Sequence, residues 1–472
     1  MPGWSVLPLE LRQIILEALA RQTKPGCGAC ASVCKEWQAI LEKEFFRQLK
    51  LQVSCLDDME AMIGAEQVKL VKQIWLNIAL KPYTCRCCPY SESGTWACGN
   101  NKVVREAITK LFSILSRWPG DAGLTLEISI QSPSDREHCF KNLCFGDNSK
   151  YETTLNGRRI CTPDRTHEYP DNHGWKNGRQ VDSPDSMAIS RIFSPLSFKF
   201  PDVPQVKAVT HFVIRRQCRR QIEPKVLGYI FDKLPQLKSL VYEPWRSWTS
   251  HLQYSWDLET VEYISLFEET NEAYVAVSQK SPFDPPESIR AASSAVSAAF
   301  AKRSLGFTQL SVSSLVEASD FFSSCKQGWV WRHLKSLILT SRKLTRTENL
   351  ETTVLLRTAA KTALSMPQLR TMVLWNGRKG EAFKFFYHAT TSGYACIGWR
   401  GTWEFELRSD IKQAWQGVQH NLRVIQEPRI STEVESHAHA IELLDLPPGV
   451  VDPISVWQMQ KEAQLSWYNN RT

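Results

Sequence analysis

Cysteines offer this 472-residue chain its most reactive chemistry, and two groups among its 14 have a spacing that chemistry uses. The stretch KPGCGACASVC holds Cys27, Cys30 and Cys34, and CRCC holds Cys85, Cys87 and Cys88, with Cys98 following a polar loop. A Cys-x2-Cys pair wraps a zinc ion, and structural zinc takes four thiolate or imidazole ligands. Cys85 and Cys88 have that spacing. Cys98 and one more thiolate or imidazole, for which the other cysteine-rich turn is one source, would complete such a site. Adjacent Cys87 and Cys88 do not readily converge on one tetrahedral ion, and no second pair of this spacing follows Cys85 and Cys88, so ordinary free thiols are the competing and simpler reading. No cofactor is expected on this account.

Other reactive types give less. The chain has no P-loop, no G-x-G-x-x-G after a strand, no H-E-x-x-H and no G-x-S-x-G. His437 and His439 follow Glu433 and Glu435, a grouping that an exposed helical turn explains as well as a metal does. HEYPDNHGW, residues 167–175, gathers two histidines, two acids and a tyrosine, but no nucleophile with a positioned base can be read beside it. The expectation is a protein that is not an enzyme, with no catalytic residue to name. The densest basic cluster, IRRQCRR, holds Arg215, Arg216, Arg219 and Arg220. A solvated helix start is the simpler reading, and a phosphate-binding patch the other.

Elements must position these residues, and the composition allows a large core. Hydrophobic residues make up 43% of the chain, with 17 Trp and 20 Phe, which lies far from the composition of disordered chains. The net charge of +8 is modest for this length and neither demands nor excludes a nucleic-acid partner. No apolar run is long enough for a membrane span, and the first residues lack the basic start of a signal peptide. Cytosol or nucleus is the expected location, with no membrane partner.

Short strands recur from residue 71 onward. QVKAVTHFVI, QLKSLVY, TVEYISL, HLKSLIL and QLRTMVL share the spelling apolar, two residues, apolar, one residue, apolar, and VKQIWLNI and FTQLSV are weaker copies. Helical stretches at 224–234, 314–325 and 348–366 lie between them. Strand and helix repeated at this period predict an irregular leucine-rich-repeat-like array. The expected fold class is therefore α/β, with α+β as the alternative. The expected divisions are a helical unit over 1–50, the array over 51–430 and a partly helical tail over 431–472. Residues 132–184 are rich in turn formers and read as a long loop, and YACIGWRGTWEFEL, 394–407, reads as a hairpin turning at Arg400-Gly401.

The first segment resembles an F-box. The residues that match are Val6, Leu7, Pro8 and Glu10 in VLPLE, an amphipathic helix carrying Ile14, Ile15, Leu16 and Leu19, and Val33, Cys34, Lys35 and Trp37 in VCKEW. The stretch between, TKPGCGACA, departs from the family by being glycine-rich and cysteine-containing. HFVIRRQCRR, LPQLKSLVYEPWR and WRGTWEFEL are similar to filamentous-fungal F-box proteins whose large C-terminal region has no assigned activity. The resemblance implies a substrate-recognition subunit of a Skp1, cullin and RING ubiquitin ligase. Leu7, Pro8, Glu10, Leu11, Ile15, Leu19, Val33, Cys34 and Trp37 would serve the Skp1-like adaptor, with Val33, Cys34 and Trp37 also holding the helices together. The array would hold an unknown protein substrate.

Aromatic residues and arginine dominate interfaces, so Tyr242, Trp245, Arg246 and Trp375 are candidate substrate anchors, with core packing as the competing role. The alternative function is a scaffold outside any ligase, or a nucleic-acid-associated protein using the Arg215–Arg220 cluster, although nucleic acid is not the expected partner.

Overall fold

An apolar residue, two others, an apolar residue, one other and a third apolar residue is a spelling that places the last two on one face of a strand. In the computed structural model this happens in all seven copies. The structure describes residues 4–21, 27–141, 152–155, 158–161, 171–177, 179–245, 259–269, 274, 277, 292–347, 349–390 and 393–463. The triplets Val71-Ile74-Leu76, Val209-Phe212-Ile214, Leu237-Leu240-Tyr242, Val261-Ile264-Leu266, Phe307-Leu310-Val312, Leu334-Leu337-Leu339 and Leu369-Met372-Leu374 are all buried, none more than 6% exposed.

The strands they belong to form one sheet, which has twelve strands among the described residues. These are β1 (Gln48–Gln52), β2 (Gln73–Ala79), β3 (Leu124–Gln131), β4 (Val209–Ile214), β5 (Ser239–Tyr242), β6 (Tyr263–Phe267), β7 (Gln309–Glu317), β8 (Ser336–Thr340), β9 (Thr371–Arg378), β10 (Glu381–Ala389), β11 (Ala395–Gly401) and β12 (Leu422–Gln426). Strand order follows chain order throughout, and β1 to β9 are parallel. Each new strand thus adds to the edge left by the last, as in a solenoid, and the order never reverses as it does in a doubly wound sheet. The fold is α/β.

Register turns the repeated spelling into rows. Ile74, Leu126, Phe212, Leu240, Ile264, Leu310, Leu337 and Met372 are successive partners across eight strands. The connecting helices cover this face: Leu111 and Phe112, Leu227 and Ile230, Phe321 and Phe322, Leu356 and Ala359, and Ile411 and Trp415 all join the same core. The neighbouring row faces the other way and changes character along the sheet. It runs Trp75, Glu127, Val213, Val241, Ser265, Ser311, Ile338 and Val373. Its last two members meet a second core formed with helix His437–Leu444 and with Met459 of helix Pro453–Ala463. Residues read as a tail therefore cover one face of β8 to β10. His437 itself is stacked between Phe267 and Trp375 and paired with Glu269, where an exposed turn was expected.

The hairpin expected at 394–407 is corrected. Arg400 and Gly401 belong to β11, and the tight turn falls between β9 and β10 at Lys379-Gly380, where Gly380 has φ +82°. Gly401 is small for another reason: a Cβ there would meet Phe383 at 2.6 Å. Phe383 in turn stacks on Trp403 at 5.0 Å. The expected loop at 132–184 contains structure in its described parts, including paired strands Glu152–Leu155 with Arg158–Cys161 and Trp175–Lys176 with Arg179–Gln180.

The arginine cluster after β4 is neither a solvated helix start nor a phosphate patch. Arg216, Arg219 and Arg220 are each 1% exposed. Acids brought in from distant parts of the chain neutralise them. Glu462 pairs with Arg216 at 3.1 Å and Arg219 at 2.5 Å, and Glu92 pairs with Arg220 at 2.7 Å. Arg215 lies between Glu127 at 3.3 Å and Asp452 at 3.4 Å. The guanidinium groups of Arg216 and Arg219 sit over the Trp245 ring at 4.2 and 5.0 Å. Phosphate recognition needs cations on the surface, so the nucleic-acid reading of this cluster does not survive.

Around the same network, burial raises two carboxyl groups: Glu127 to about 7, with Arg215 opposing, and Glu243 to about 8, with Asp452 adding to the rise. Glu243 accepts the Asp452 backbone N–H at 2.8 Å and the Ser455 hydroxyl.

Removing one partner of a buried ion pair leaves the other charge stranded, so Glu462→Ala is expected to cost about 3–5 kcal/mol in urea unfolding. Raised acids bind protons more tightly folded than unfolded. The stability from Glu127 and Glu243 is therefore complete below about pH 4.5 and lost as pH rises through about 7 to 8, with a limiting slope of about 1.4 kcal/mol per pH unit for each group. Melting curves from pH 5 to 9 should show this fall, and Glu243→Gln should flatten part of it. Gly398 gives a packing test, since a Cβ would lie 2.4 Å from Phe386 Cζ and 2.6 Å from the Ile425 carbonyl oxygen. Gly398→Ala should destabilise by roughly 1–3 kcal/mol, whereas Gly417→Ala, in a helix with open space around it, should be neutral or stabilise by up to about 1 kcal/mol.

Candidate functional site

The N-terminal residues fold as three helices, α1 (Leu9–Arg21), α2 (Cys27–Cys30) and α3 (Lys35–Arg47). Their own core is small. Leu16, Ala20 and Leu41 are buried, and Trp4, Leu19, Cys30, Ala31, Trp37, Ile40 and Phe45 pack against them. Trp4 and Trp37 meet at 5.1 Å, and Glu36 receives Arg12 at 2.7 Å and the Trp4 indole N–H at 3.4 Å. A unit this short cannot cover all its apolar side chains. Leu9, Leu11, Ile14 and Ile15 of α1 stay 46–60% exposed, with Val6 at 69% and Val33 at 62%.

The residues expected to face an adaptor separate into two groups. Pro8, Glu10, Leu11, Ile15, Val33 and Cys34 are exposed and Leu7 is half-buried, whereas Leu19 and Trp37 pack into the small core. Two expectations are corrected. Val33 does not hold the helices together, because it lies in the turn before α3 and points to solvent. Cys34 is not a packing residue either: it occupies the N-cap position of α3 in extended conformation and is exposed.

The proposed substrate anchors are corrected as well. Tyr242 is 2% exposed because it is the third apolar position of its strand triplet, a role its alternation with Leu240 already encodes. Trp245, 2% exposed, is the platform beneath Arg216 and Arg219 and also meets Phe193 at 4.5 Å. Trp375, fully buried, packs in the core beneath the C-terminal helices. Arg246 lies outside the described residues. A surface that sequence reasoning missed lies on the second face of β4 and β5, where His211, Val213, Ser239 and Val241 are exposed or half-buried.

The cysteines weighed as a metal set divide between a helix and a turn. Cys98 sits exposed on helix Gly94–Leu115, outside the cluster that forms. Cys85 and Cys88 lie in the turn that follows β2, closed by N–H bonds from Cys87 and Cys88 to the Thr84 carbonyl. This turn is fastened to the one after β3: Tyr83 N–H donates to Ser134 Oγ at 3.0 Å, and the Tyr83 hydroxyl donates to Asp135 at 2.9 Å. Arg191 clamps it from the other side, donating to the carbonyls of Cys87, Tyr90 and Ser91 and lying 4.8 Å over the Tyr83 ring.

Two histidines from the turn-rich segment, rather than Cys98 or the first cysteine-rich turn, then arrive at Cys85. Its sulfur is 3.6 Å from His138 Nδ1 and 3.4 Å from His173 Nε2, and those two nitrogens are 3.2 Å apart. Cys88 Sγ lies 3.6 Å from the other nitrogen of His173, and Cys139 is beside them. Burial pushes the Cys88 thiol up and the Cys139 thiol up to about 12, and it lowers His173. The Cys-x2-Cys spacing and the His173 of HEYPDNHGW were the visible signals. Their meeting was not.

Residues 256–452 match a family described as a family of unknown function, DUF6546. The match begins just before β6 and extends past helix His437–Leu444, leaving outside it both α1–α3 and the cysteine–histidine cluster. No curated protein matches the chain.

Proposed function

We propose that the chain is an F-box substrate-recognition subunit of a Skp1, cullin and RING ubiquitin ligase, docking its adaptor through α1–α3 and a protein substrate through the sheet array. The observation that supports this most is the row of exposed apolar residues on α1, Leu9, Leu11, Ile14 and Ile15, joined by Val6 and Val33. Amphipathic helices with such faces bind by laying them against a partner's helices. The resemblance of VLPLE and VCKEW to the F-box signature names the partner as a Skp1-like adaptor. The glycine-rich departure TKPGCGACA falls around α2, which is only four residues long, and leaves the apolar row of α1 intact.

The substrate side of the proposal moves away from buried aromatics. The half-open face of β4 and β5, with His211, Val213, Ser239 and Val241, is where a protein segment would rest. No helix among the described residues is long and apolar enough to cross a membrane.

The test is a binding titration of purified full-length protein against a Skp1-like adaptor. Wild type should bind, and Leu11→Asp with Ile15→Asp should weaken binding by about 10- to 100-fold, the range for losing central interface anchors. The melting temperature should stay unchanged, since both side chains are already exposed. A wild-type protein that does not bind the adaptor, under conditions where an established F-box does, would sink the proposal.

A further inference from the structure

Three or more metal-binding side chains converge in two overlapping groups among the described residues, Cys85-His138-His173 and Cys88-Cys139-His173. The first group has the dimensions of a coordination sphere. Zinc holds sulfur at about 2.3 Å and nitrogen at about 2.0–2.1 Å, so the edges of a tetrahedral site are about 3.3 Å between nitrogens and about 3.6 Å between nitrogen and sulfur. The observed edges are 3.2 Å between nitrogens and 3.4 and 3.6 Å to Cys85 Sγ.

Neighbouring groups orient the ligands. His138 Nε2 lies 3.2 Å from the Tyr83 carbonyl, which can only accept, so that nitrogen carries the proton and Nδ1 turns a lone pair toward the cluster. Histidines that ligate metal are typically held in this way, with the second ring nitrogen donating to a carbonyl. His173 is placed at a conformational cost: it has φ +52°, in the left-handed region, followed by Gly174 at +80°, where a Cβ would lie 2.7 Å from the Asp182 carbonyl oxygen. Its flanks are pinned. Lys141 donates to the Asn172 side chain, and Trp175 Nε1 and Gln180 Nε2 donate to the Cys139 carbonyl at 3.0 and 2.9 Å.

We infer that this cluster is a structural zinc site with Cys85, Cys88, His138 and His173 as ligands. Cys88 supplies the fourth bond by turning its thiol away from the Cys85 carbonyl, to which it donates at 3.3 Å. Thiolate and imidazole in a tetrahedral set select zinc over magnesium or calcium, and both cysteines release their protons to solvent on binding. Four protein ligands leave no open position, so the ion ties the turns after β2 and β3 to the segment around His173 and does no chemistry on a substrate.

The experiment uses the full chain, expressed with zinc and purified without chelator, with metal content measured by mass spectrometry. About one zinc per chain is expected. Cys85→Ser, Cys88→Ser, His138→Ala and His173→Ala should each weaken retention by about tenfold or more, while Cys98→Ser and Cys139→Ser should keep the metal. Because a ligand variant can unfold, the stripped wild type is also titrated with cobalt(II). Strong visible bands of tetrahedral cobalt, with thiolate charge transfer in the ultraviolet, are the expected result. Wild type without zinc and with only the weak spectrum of octahedral cobalt overturns the inference. Zinc kept by a Cys85→Ser, His138→Ala double variant overturns it too, and zinc kept in Cys88→Ser but lost in Cys139→Ser overturns the assignment of the fourth ligand.

Discussion

Glu462 between Arg216 and Arg219, with the Trp245 ring under both guanidinium groups, is the contact on which the arrangement at the carboxyl ends of the strands depends. Three arginines side by side in a core would repel one another and lose their hydration, so burying them requires acids from elsewhere. They come from before β3 (Glu92), from after β6 (Glu269) and from the C-terminal helix (Glu462). Chain segments hundreds of residues apart are thereby fixed to one another by charge. Apolar packing alone would leave their mutual positions less tightly specified.

The two faces of the sheet are built on different principles. One is a continuous apolar surface, made by repeating the same triplet and covering it with helices. The other is graded, from Trp75, Glu127 and Ser129 at one end to Ile338, Val373 and Trp375 at the other. Trp75 donates to Ser129 Oγ at 2.9 Å and Gln73 donates to Glu127 at 2.9 Å, so the polar end satisfies itself across neighbouring strands. The apolar end requires the C-terminal helices as a lid. Between these ends β4 and β5 are left partly open.

Period-2 alternation and the recurring triplet made the array legible in the sequence, because burial of one strand face is a local demand written into each strand. The same local signal placed Tyr242 in the core, although its aromatic character suggested an anchor. Features decided by distant partners were not legible. IRRQCRR reads as a surface because no acid falls within it, and Glu462 lies far along the chain. Gly401 reads as a turn, but its smallness serves a cross-strand contact with Phe383. Cys85 and Cys88 were visible as a pair, yet His138 and His173 reach them only through the fastening of two strand-end turns. On α1, by contrast, the apolar residues at 11, 14 and 15 remain exposed beside buried Leu16, so the amphipathic spelling overstated what the helix buries.

The passage from α3 into β1 has a mechanical meaning. Arg47 is the last residue of the helix and Gln48 the first of the strand, and the Arg47 carbonyl accepts the Lys72 N–H at 2.9 Å beside β2. No spacer separates the helical unit from the sheet. Anything bound to α1–α3 is therefore placed relative to β4 and β5 by that junction, by the bond from Lys72 and by Phe46, which packs against the main core, and not by a flexible tether.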